Sequence, residues 1–226
     1  MASKNREYNK VVEYIKLLLN EEKLSAGDKL PTERIIAETL AISRNSTREA
    51  LRALGNMGVI ESIQGSGNYL VGDITKPIAD SLTMMLLMRK TNQMEISQLR
   101  RYMDLLAFNI AFDSHTNINL TELADTLYKM ENACIQDKIH YDTEFHYRIF
   151  AASGNQLIIS LMNALSEIYE GSVRFVLTTA DSNVQSRFAK AHRDMCQSFL
   201  DKNKSLGFEA INEHYDIIEK ELLGKQ

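Results

Sequence analysis

The sequence has 226 residues, of which 44% are hydrophobic and 25% are charged. A chain of this length and composition can bury a sizeable core, and we expect two domains. No run of about 18 apolar residues is available to span a bilayer, and the start lacks the apolar core of a signal peptide, so we expect a soluble, cytoplasmic protein. The two cysteines, Cys134 and Cys196, are far apart, which favours reduced thiols over a disulfide or a cysteine-based metal site.

The chain begins with a predicted amphipathic helix. Residues 7–20 carry apolar side chains at helical spacing, and we expect this helix to pack behind the segments that follow. Residues 24–31 then predict a turn and a short strand.

Two short helices with a tight turn between them come next. Thr32 and Ser43 are the expected N-terminal caps of these helices, because their side-chain oxygens can accept hydrogen bonds from the first free backbone N–H groups. The second helix has one apolar face, and Arg44, Asn45 and Arg48 lie away from it near the first turns. This arrangement is typical of a recognition helix that presents polar side chains to DNA.

A hairpin completes the first part of the chain. Gly58 is expected to end the second helix in a left-handed conformation, and residues 59–63 and 68–71 predict two strands joined by the glycine-rich segment 64–67. Together these elements predict a winged helix-turn-helix domain over residues 1–72.

The rest of the chain predicts a bundle of helices. Residues 73–79 contain one of only two prolines and are interpreted as a linker. From residue 80 onward apolar residues recur every three or four positions, without strand alternation, so the whole protein is predicted to be mainly α. Six or seven helices are expected, with breaks at Gly154, at Gly207 and around Asn117. The predicted helices lie near residues 80–90, 94–113, 119–137, 138–153, 155–178, 183–202 and 205–223.

Four residues that can bind metal lie on apolar faces of three predicted helices. Asp142 and His146 are four residues apart and share one face, whereas His192 and His214 each lie on the apolar stripe of a later helix. Burying these groups costs on the order of several kcal/mol unless each has a hydrogen-bonding, ionic or metal partner. A divalent transition metal would satisfy all four, with zinc, nickel and manganese as candidates. The alternative for each histidine taken alone is a hydrogen-bonded core residue.

Three segments of the first domain resemble the DNA-binding domain of GntR-type bacterial transcription regulators. They are residues 30–34 (LPTER), 43–51 (SRNSTREAL) and 64–71 (QGSGNYLV), and the likeness covers about the first third of the chain. The alternative is a solvated helix face with salt bridges, since Glu38 and Glu49 are close in sequence to the arginines. The resemblance implies contact with double-stranded DNA through Arg34, Ser43, Arg44, Asn45, Ser46, Arg48 and Gly65.

The charge distribution limits how this domain could bind DNA. Residues 1–72 contain 10 Lys and Arg against 9 Asp and Glu, a net charge of +1, and the remainder contains 16 against 21, a net charge of −5. Together these give the net charge of −4. A module with so little net charge releases few counterions. Its affinity would therefore depend on arginines gathered on one side and on dimerisation.

The second domain resembles the FCD effector domain of the FadR branch of GntR regulators. The likeness rests on the Asp-x-x-x-His pattern, the Ala-Ala-Ser-Gly-Asn segment 151–155 and the two later histidines. It implies a metal held by Asp142, His146, His192 and His214, with a small carboxylate effector completing the coordination shell, and it disfavours the fatty acyl-CoA ligand of members that lack these residues.

The same resemblance implies an effector-binding arginine. In the family an Arg-x-x-x-Glu pattern supplies it, and Arg100 matches with Asp104 in place of the glutamate, while Arg101 is a second candidate. The plain alternative is a surface arginine that pairs with Asp104 at helical spacing.

These observations predict a homodimeric, ligand-responsive transcription repressor that binds a palindromic operator, with the linker transmitting the effect of a carboxylate effector. Sugar acids, hydroxy acids and dicarboxylates are all compatible with a metal and an arginine. One alternative is a DNA-binding protein whose metal is structural only. Another is a metal-dependent hydrolase, but no general base or nucleophile stands at recognisable spacing, so we do not expect an enzyme.

Overall fold

The computed structural model describes residues 2–73, 75–114 and 118–224. The chain divides into two compact units, Met1–Pro77 and Ile78–Gln226. The predicted fold class is confirmed: a winged helix-turn-helix comes first and an all-helical bundle follows. The helices and strands among the described residues are α1 (Ala2–Asn20), α2 (Glu33–Leu40), α3 (Arg44–Asn56), β1 (Ile60–Ile63), β2 (Gly67–Leu70), α4 (Thr75–Leu87), α5 (Gln93–Ser114), α6 (Leu120–Asn132), α7 (Ile135–Ala152), α8 (Gln156–Thr179), α9 (Ser182–Leu200) and α10 (Lys204–Leu223).

The two predicted helix caps are present in the first unit. The Thr32 hydroxyl accepts a hydrogen bond from the Ile35 backbone N–H at 3.3 Å, and the Ser43 hydroxyl accepts one from Ser46 at 3.0 Å. Ala41 ends α2 in the left-handed region at φ 50°, which turns the chain within two residues. α3 therefore begins at Arg44, and it buries Thr47, Ala50, Leu51 and Leu54 as predicted.

The wing is an antiparallel hairpin. β1 and β2 pair from Ile60 opposite Leu70 to the tip, where Gly65 has a φ of 76° that suits glycine. The strand predicted within residues 24–31 is reduced to a single bridge, in which Lys29 pairs with Tyr69. The wing is therefore anchored to the chain segment that precedes α2.

Two helix boundaries differ from the sequence-based prediction. α4 begins at Thr75, so the predicted linker 73–79 is partly helical. Pro77 is tolerated there because the first turn of a helix needs no N–H donor from it, and the Asp73 carboxylate accepts the Thr75 backbone N–H at 2.8 Å. The boundary between α6 and α7 falls at Ala133 and Cys134, whose extended backbone is marked by neither glycine nor proline.

Gly207 is not a break but an interior residue of α10. A Cβ at this position would lie 2.0 Å from Cζ of Phe108, so the glycine allows α10 to approach the aromatic core. The Phe108 ring packs with its centroid 4.9 Å from that of Phe199 and 5.5 Å from that of Phe208. The predicted break at Gly154 is present, with φ 66°, whereas Asn117 lies outside the described residues.

The core of the second unit holds the helices that carry the candidate site. Phe145 and Ile149 of α7, Met195 of α9 and Ile211 and Ile218 of α10 are all buried in one hydrophobic cluster. Among the described residues, no helix is long and apolar enough to cross a membrane.

Candidate functional site

Four side chains from three helices converge inside the second unit. Asp142 and His146 come from α7, His192 from α9 and His214 from α10, and none of the four is more than 2% exposed. Their candidate ligand atoms all lie within 4.8 Å of one another. The structure thus brings together the four residues that the sequence singled out.

The inward-facing atoms of this cluster lack hydrogen-bond partners within the described part of the chain. They are Oδ1 of Asp142, Nε2 of His146 and His192, and both ring nitrogens of His214. His192 Nε2 lies 3.0 Å from Asp142 Oδ1, yet the two do not meet hydrogen-bond geometry. A buried polar atom without a partner costs about 1–3 kcal/mol. One carboxylate oxygen and three imidazole nitrogens form a donor set suited to a divalent transition metal, so the residues present fit such an ion.

Second hydrogen bonds orient two of the histidines. His192 Nδ1 lies 2.9 Å from the Phe188 carbonyl oxygen. Because a carbonyl only accepts, Nδ1 carries the proton and Nε2 keeps its lone pair. His146 Nδ1 lies 3.2 Å from Oδ2 of Asp104, a carboxylate that plays the same part. Contacts of this kind favour the Nδ1–H tautomer, in which Nε2 keeps a lone pair that can face the cluster.

His214 differs from the other two histidines in its surroundings. Its ring stacks on Phe188 at 4.6 Å between centroids, and its Nε2 lies 3.9 Å from Asp142 Oδ1. Burial disfavours the charged imidazolium and lowers the pKa of His214 to about 3. At neutral pH this side chain is uncharged, the state in which imidazole binds metal.

A small cavity adjoins the cluster. Its volume is about 70 Å³, and its lining includes Asp142 and His192 together with Lys138, Gln185 and Phe188. Gln185 donates its amide N–H groups to the backbone carbonyls of Leu177 and Ala180, which leaves its side-chain oxygen as an acceptor. A small molecule bound in this cavity would lie at the edge of the cluster.

The structure places the two candidate effector-binding arginines very differently. Arg100 is only 2% exposed, so the alternative of a surface arginine is wrong. Its Nε donates to the Tyr215 hydroxyl at 3.2 Å, and its guanidinium lies 4.7 Å from the centre of the Tyr169 ring. Its terminal nitrogens have no hydrogen bond to any described residue. Arg101, by contrast, pairs with two carboxylates of α10, at 2.7 Å and 3.0 Å.

Sequence reasoning missed the connection between Arg100 and the cluster. Tyr215 donates its hydroxyl to Oδ2 of Asp104, the same oxygen that lies against His146. Burial alone would raise the pKa of Asp104, but the interactions with His146, Arg100 and Tyr215 outweigh burial and lower it. Two signals in the sequence point to these residues: Asp104 follows Arg100 by four residues, and Tyr215 directly follows the candidate ligand His214. Neither signal indicates that helix α5 packs against α7 and α10.

The candidate DNA-binding residues lie on the first unit. Arg34, Arg44, Asn45 and Gly65 are exposed, and the Ser43 cap also contacts the Ser46 hydroxyl at 2.8 Å. An open groove of about 730 Å³ is lined by Arg48 and Arg52 of α3 and by residues 62–68 of the wing. Helix and wing together form one polar concave surface.

Salt bridges occur on this surface, as the alternative interpretation expected. Arg34 pairs with Glu38 at 3.1 Å and Arg52 with Glu49 at 3.5 Å. Arg44 has no ion pair with any described residue. Pairs between exposed charges contribute only about 0–1 kcal/mol, so they can be exchanged for contacts with phosphate at little cost.

Comparison with known proteins gives concordant matches for both units. Residues 7–70 match the model of the bacterial regulatory proteins, gntR family, and residues 95–217 match the FCD domain. The chain is 30% identical to the HTH-type transcriptional regulator LutR of Bacillus subtilis (strain 168), over 70% of this chain and 73% of that protein. It is 22% identical to the Uxu operon transcriptional regulator of Escherichia coli (strain K12), over 98% and 89%. The solved structure of Streptococcus agalactiae GntR aligns with a TM-score of 0.66 and 25% identity, over 95% of this chain and 99% of that one.

Proposed function

This chain belongs to the gntR family of bacterial regulatory proteins and carries an FCD domain, and from that membership we propose that it is a homodimeric repressor controlled by a small carboxylate. Its matched families and relatives are transcription regulators, not enzymes. The effector is proposed to bind at a divalent transition metal in the second unit, and zinc is the first candidate ahead of nickel and manganese. Binding there would alter how two winged helices are held on DNA.

One observation carries the metal part of this proposal. The four ligand atoms of Asp142, His146, His192 and His214 lie within 4.8 Å of one another and are buried. The contacts of His192 with the Phe188 carbonyl and of His146 with Asp104 favour the tautomer that presents Nε2. When bound, a metal with fewer protein ligands than its coordination number supplies a Lewis acid that accepts a carboxylate oxygen.

Arg100 is proposed to bind a carboxylate of the effector. Its buried guanidinium cannot lose its charge, and its terminal nitrogens are not used by the described residues. Two parallel N–H donors match the two oxygens of a carboxylate. Sugar acids, hydroxy acids and dicarboxylates all provide the required group.

The DNA-binding part of the proposal rests on the surface formed by α3 and the wing. The residues proposed to touch a palindromic operator are Arg34, Ser43, Arg44, Asn45, Ser46, Arg48 and Gly65. The segment 73–79 joins the two units in sequence, and we place the transmission of the effector signal there.

Homodimerisation is supported by an exposed apolar stripe on α5. Leu99, Tyr102 and Leu106 are 50%, 70% and 46% exposed, and their spacing places them along one side of the helix. A second copy of the chain would bury such a stripe, and a symmetric dimer reads a palindrome with two identical helices. Light scattering of the purified protein tests this directly.

The decisive experiment combines metal removal with DNA binding. An operator is first selected from a randomised duplex pool with zinc-loaded protein, and its affinity is then measured by fluorescence anisotropy in the presence of citrate, L-malate or D-gluconate. We expect at least one of these acids to lower operator affinity in the zinc-loaded protein, and to have no effect after chelation or in Arg100→Ala.

The alternative of a purely structural metal makes a different prediction in the same experiment. Chelation would then lower the melting temperature, while no carboxylate would alter operator affinity in either state. Zinc-dependent release of DNA by a carboxylate would exclude it.

A further inference from the structure

Asp104 contacts the cluster from a helix that supplies none of its four members. It lies on α5, is 2% exposed, and directs Oδ2 to Nδ1 of His146 at 3.2 Å. The same oxygen accepts the hydroxyl hydrogen of Tyr215 on α10. One carboxylate oxygen thus connects α5, α7 and α10 beside the candidate metal centre.

This contact determines which nitrogen of His146 is free. An ionised carboxylate can only accept hydrogen bonds, so Nδ1 of His146 must carry the proton. Nε2 then has a lone pair, and it has no partner among the described residues. We propose that Asp104 is a positioning residue of the metal centre, which holds His146 in its metal-binding tautomer, and that Tyr215 fixes Asp104 in turn; this inference rests on the metal site proposed above.

The other histidines show why the arrangement is specific to His146. His192 obtains its orientation from the carbonyl of Phe188 in its own helix, so α9 alone is sufficient for it. His214 has no hydrogen-bond partner on either nitrogen within the described chain. Only His146 depends on a side chain from another helix.

Arg100 compensates the buried charge of Asp104. It lies one turn earlier on α5 and donates its Nε to the Tyr215 hydroxyl at 3.2 Å. That hydroxyl therefore accepts from Arg100 and donates to Asp104, and its orientation is fixed at both ends. Replacing Tyr215 by phenylalanine would remove both hydrogen bonds while leaving most of the buried ring volume in place.

The test measures zinc affinity by competition with a chromophoric chelator. We expect Asp104→Asn to bind zinc about 10- to 100-fold more weakly, the usual effect of losing such an outer hydrogen bond to a ligand, and Tyr215→Phe to show a smaller loss. Asp104→Glu keeps the carboxylate and should recover most of the affinity. Asp113→Asn is the matched control, because Asp113 lies on the same helix and pairs with Lys204 at the surface; it should bind zinc as the wild type does.

A second measurement does not depend on the variants folding. Nitrogen-15 NMR of histidine-labelled, metal-free wild type reports the tautomer of each ring, and we expect the Nδ1–H form for His146. An Nε2–H tautomer would overturn the inference, as would equal zinc affinity of the wild type and a folded Asp104→Asn. Failure of the wild type itself to bind zinc would refute the proposed metal centre, which is a distinct outcome.

Discussion

Arg48 of α3 is held by Glu33 of α2. Its Nε and Nη2 atoms both donate to the Glu33 carboxylate, and Nη2 lies 2.7 Å from Oε2. This two-point contact fixes the plane of the guanidinium at the groove between helix and wing. It also places a negative charge on the surface proposed to face DNA.

Neutralising Glu33 should therefore strengthen binding to DNA of mixed sequence. For Glu33→Gln we expect about a fivefold gain at low salt, corresponding to about 1 kcal/mol, the interaction of two charges about 4 Å apart in water. The gain should shrink as salt rises. Fluorescence anisotropy over a range of salt concentrations measures both. Glu13→Gln on α1, which removes a carboxylate paired with Lys16, is the control and should change nothing; an unchanged affinity in Glu33→Gln would contradict the prediction.

Arg44 and Arg48 should each contribute to operator binding without contributing to folding, because both are exposed. Replacing a base-reading arginine by alanine should cost about 1–3 kcal/mol and relax specificity at one position, whereas loss of a phosphate contact should weaken all sequences evenly. Titration against the selected operator and single-base variants separates the two outcomes. Wild-type operator affinity in both mutants would show that α3 is not the helix that contacts the operator bases.

Purified protein should contain about one equivalent of a divalent transition metal per chain, and His192→Ala and His214→Ala should lose it. Metal binding stabilises the folded state, so both variants and the chelated wild type should melt at lower temperature. Elemental analysis and calorimetry measure the two effects. His140→Ala, an exposed histidine on α7, should keep its metal, and a full equivalent in His192→Ala would argue against these ligands.

Acid should destabilise the metal-free protein through His214. Its pKa is about 3 in the folded state and about 6.5 when unfolded. Between these values only the unfolded chain binds the proton, so stability falls as pH decreases from about 6.5 towards 3, by up to about 1.4 kcal/mol per pH unit. Urea titrations at pH 7 and pH 5 should show a smaller fall in His214→Gln than in the wild type. His140→Gln should lose as much stability between pH 7 and pH 5 as the wild type does. The same loss in His214→Gln would contradict the prediction.

Gly207→Ala should destabilise the second unit. The added methyl would lie 2.0 Å from the Phe108 ring, and overpacking of this kind costs about 1–3 kcal/mol. Gly171 in α8 has open space around it, so Gly171→Ala should instead stabilise by about 0.5–1 kcal/mol through helix propensity. Thermal melts of the two variants should therefore shift in opposite directions, and parallel shifts would refute the packing argument.

The sequence by itself determined the local structure and the chemical inventory. The caps at Thr32 and Ser43, the buried face of α3 and the seven helices of the second unit follow from side-chain chemistry and periodicity within a few neighbouring residues. The inward orientation of Asp142 and His146 also follows, because residues four apart share a helix face. Helix ends without glycine or proline, as at Cys134, could not be placed, since no local signal marks them.

Only the tertiary structure decided which faces meet. It separated Arg100, buried against Tyr169 and Tyr215, from the neighbouring Arg101, which the sequence pattern had left as a second candidate. It also showed that Asp104 lies against His146, although the two are 42 positions apart in the sequence. Periodicity gives the face on which a side chain lies but carries no information on the partner helix, because that choice depends on how all the apolar faces of the bundle pack together.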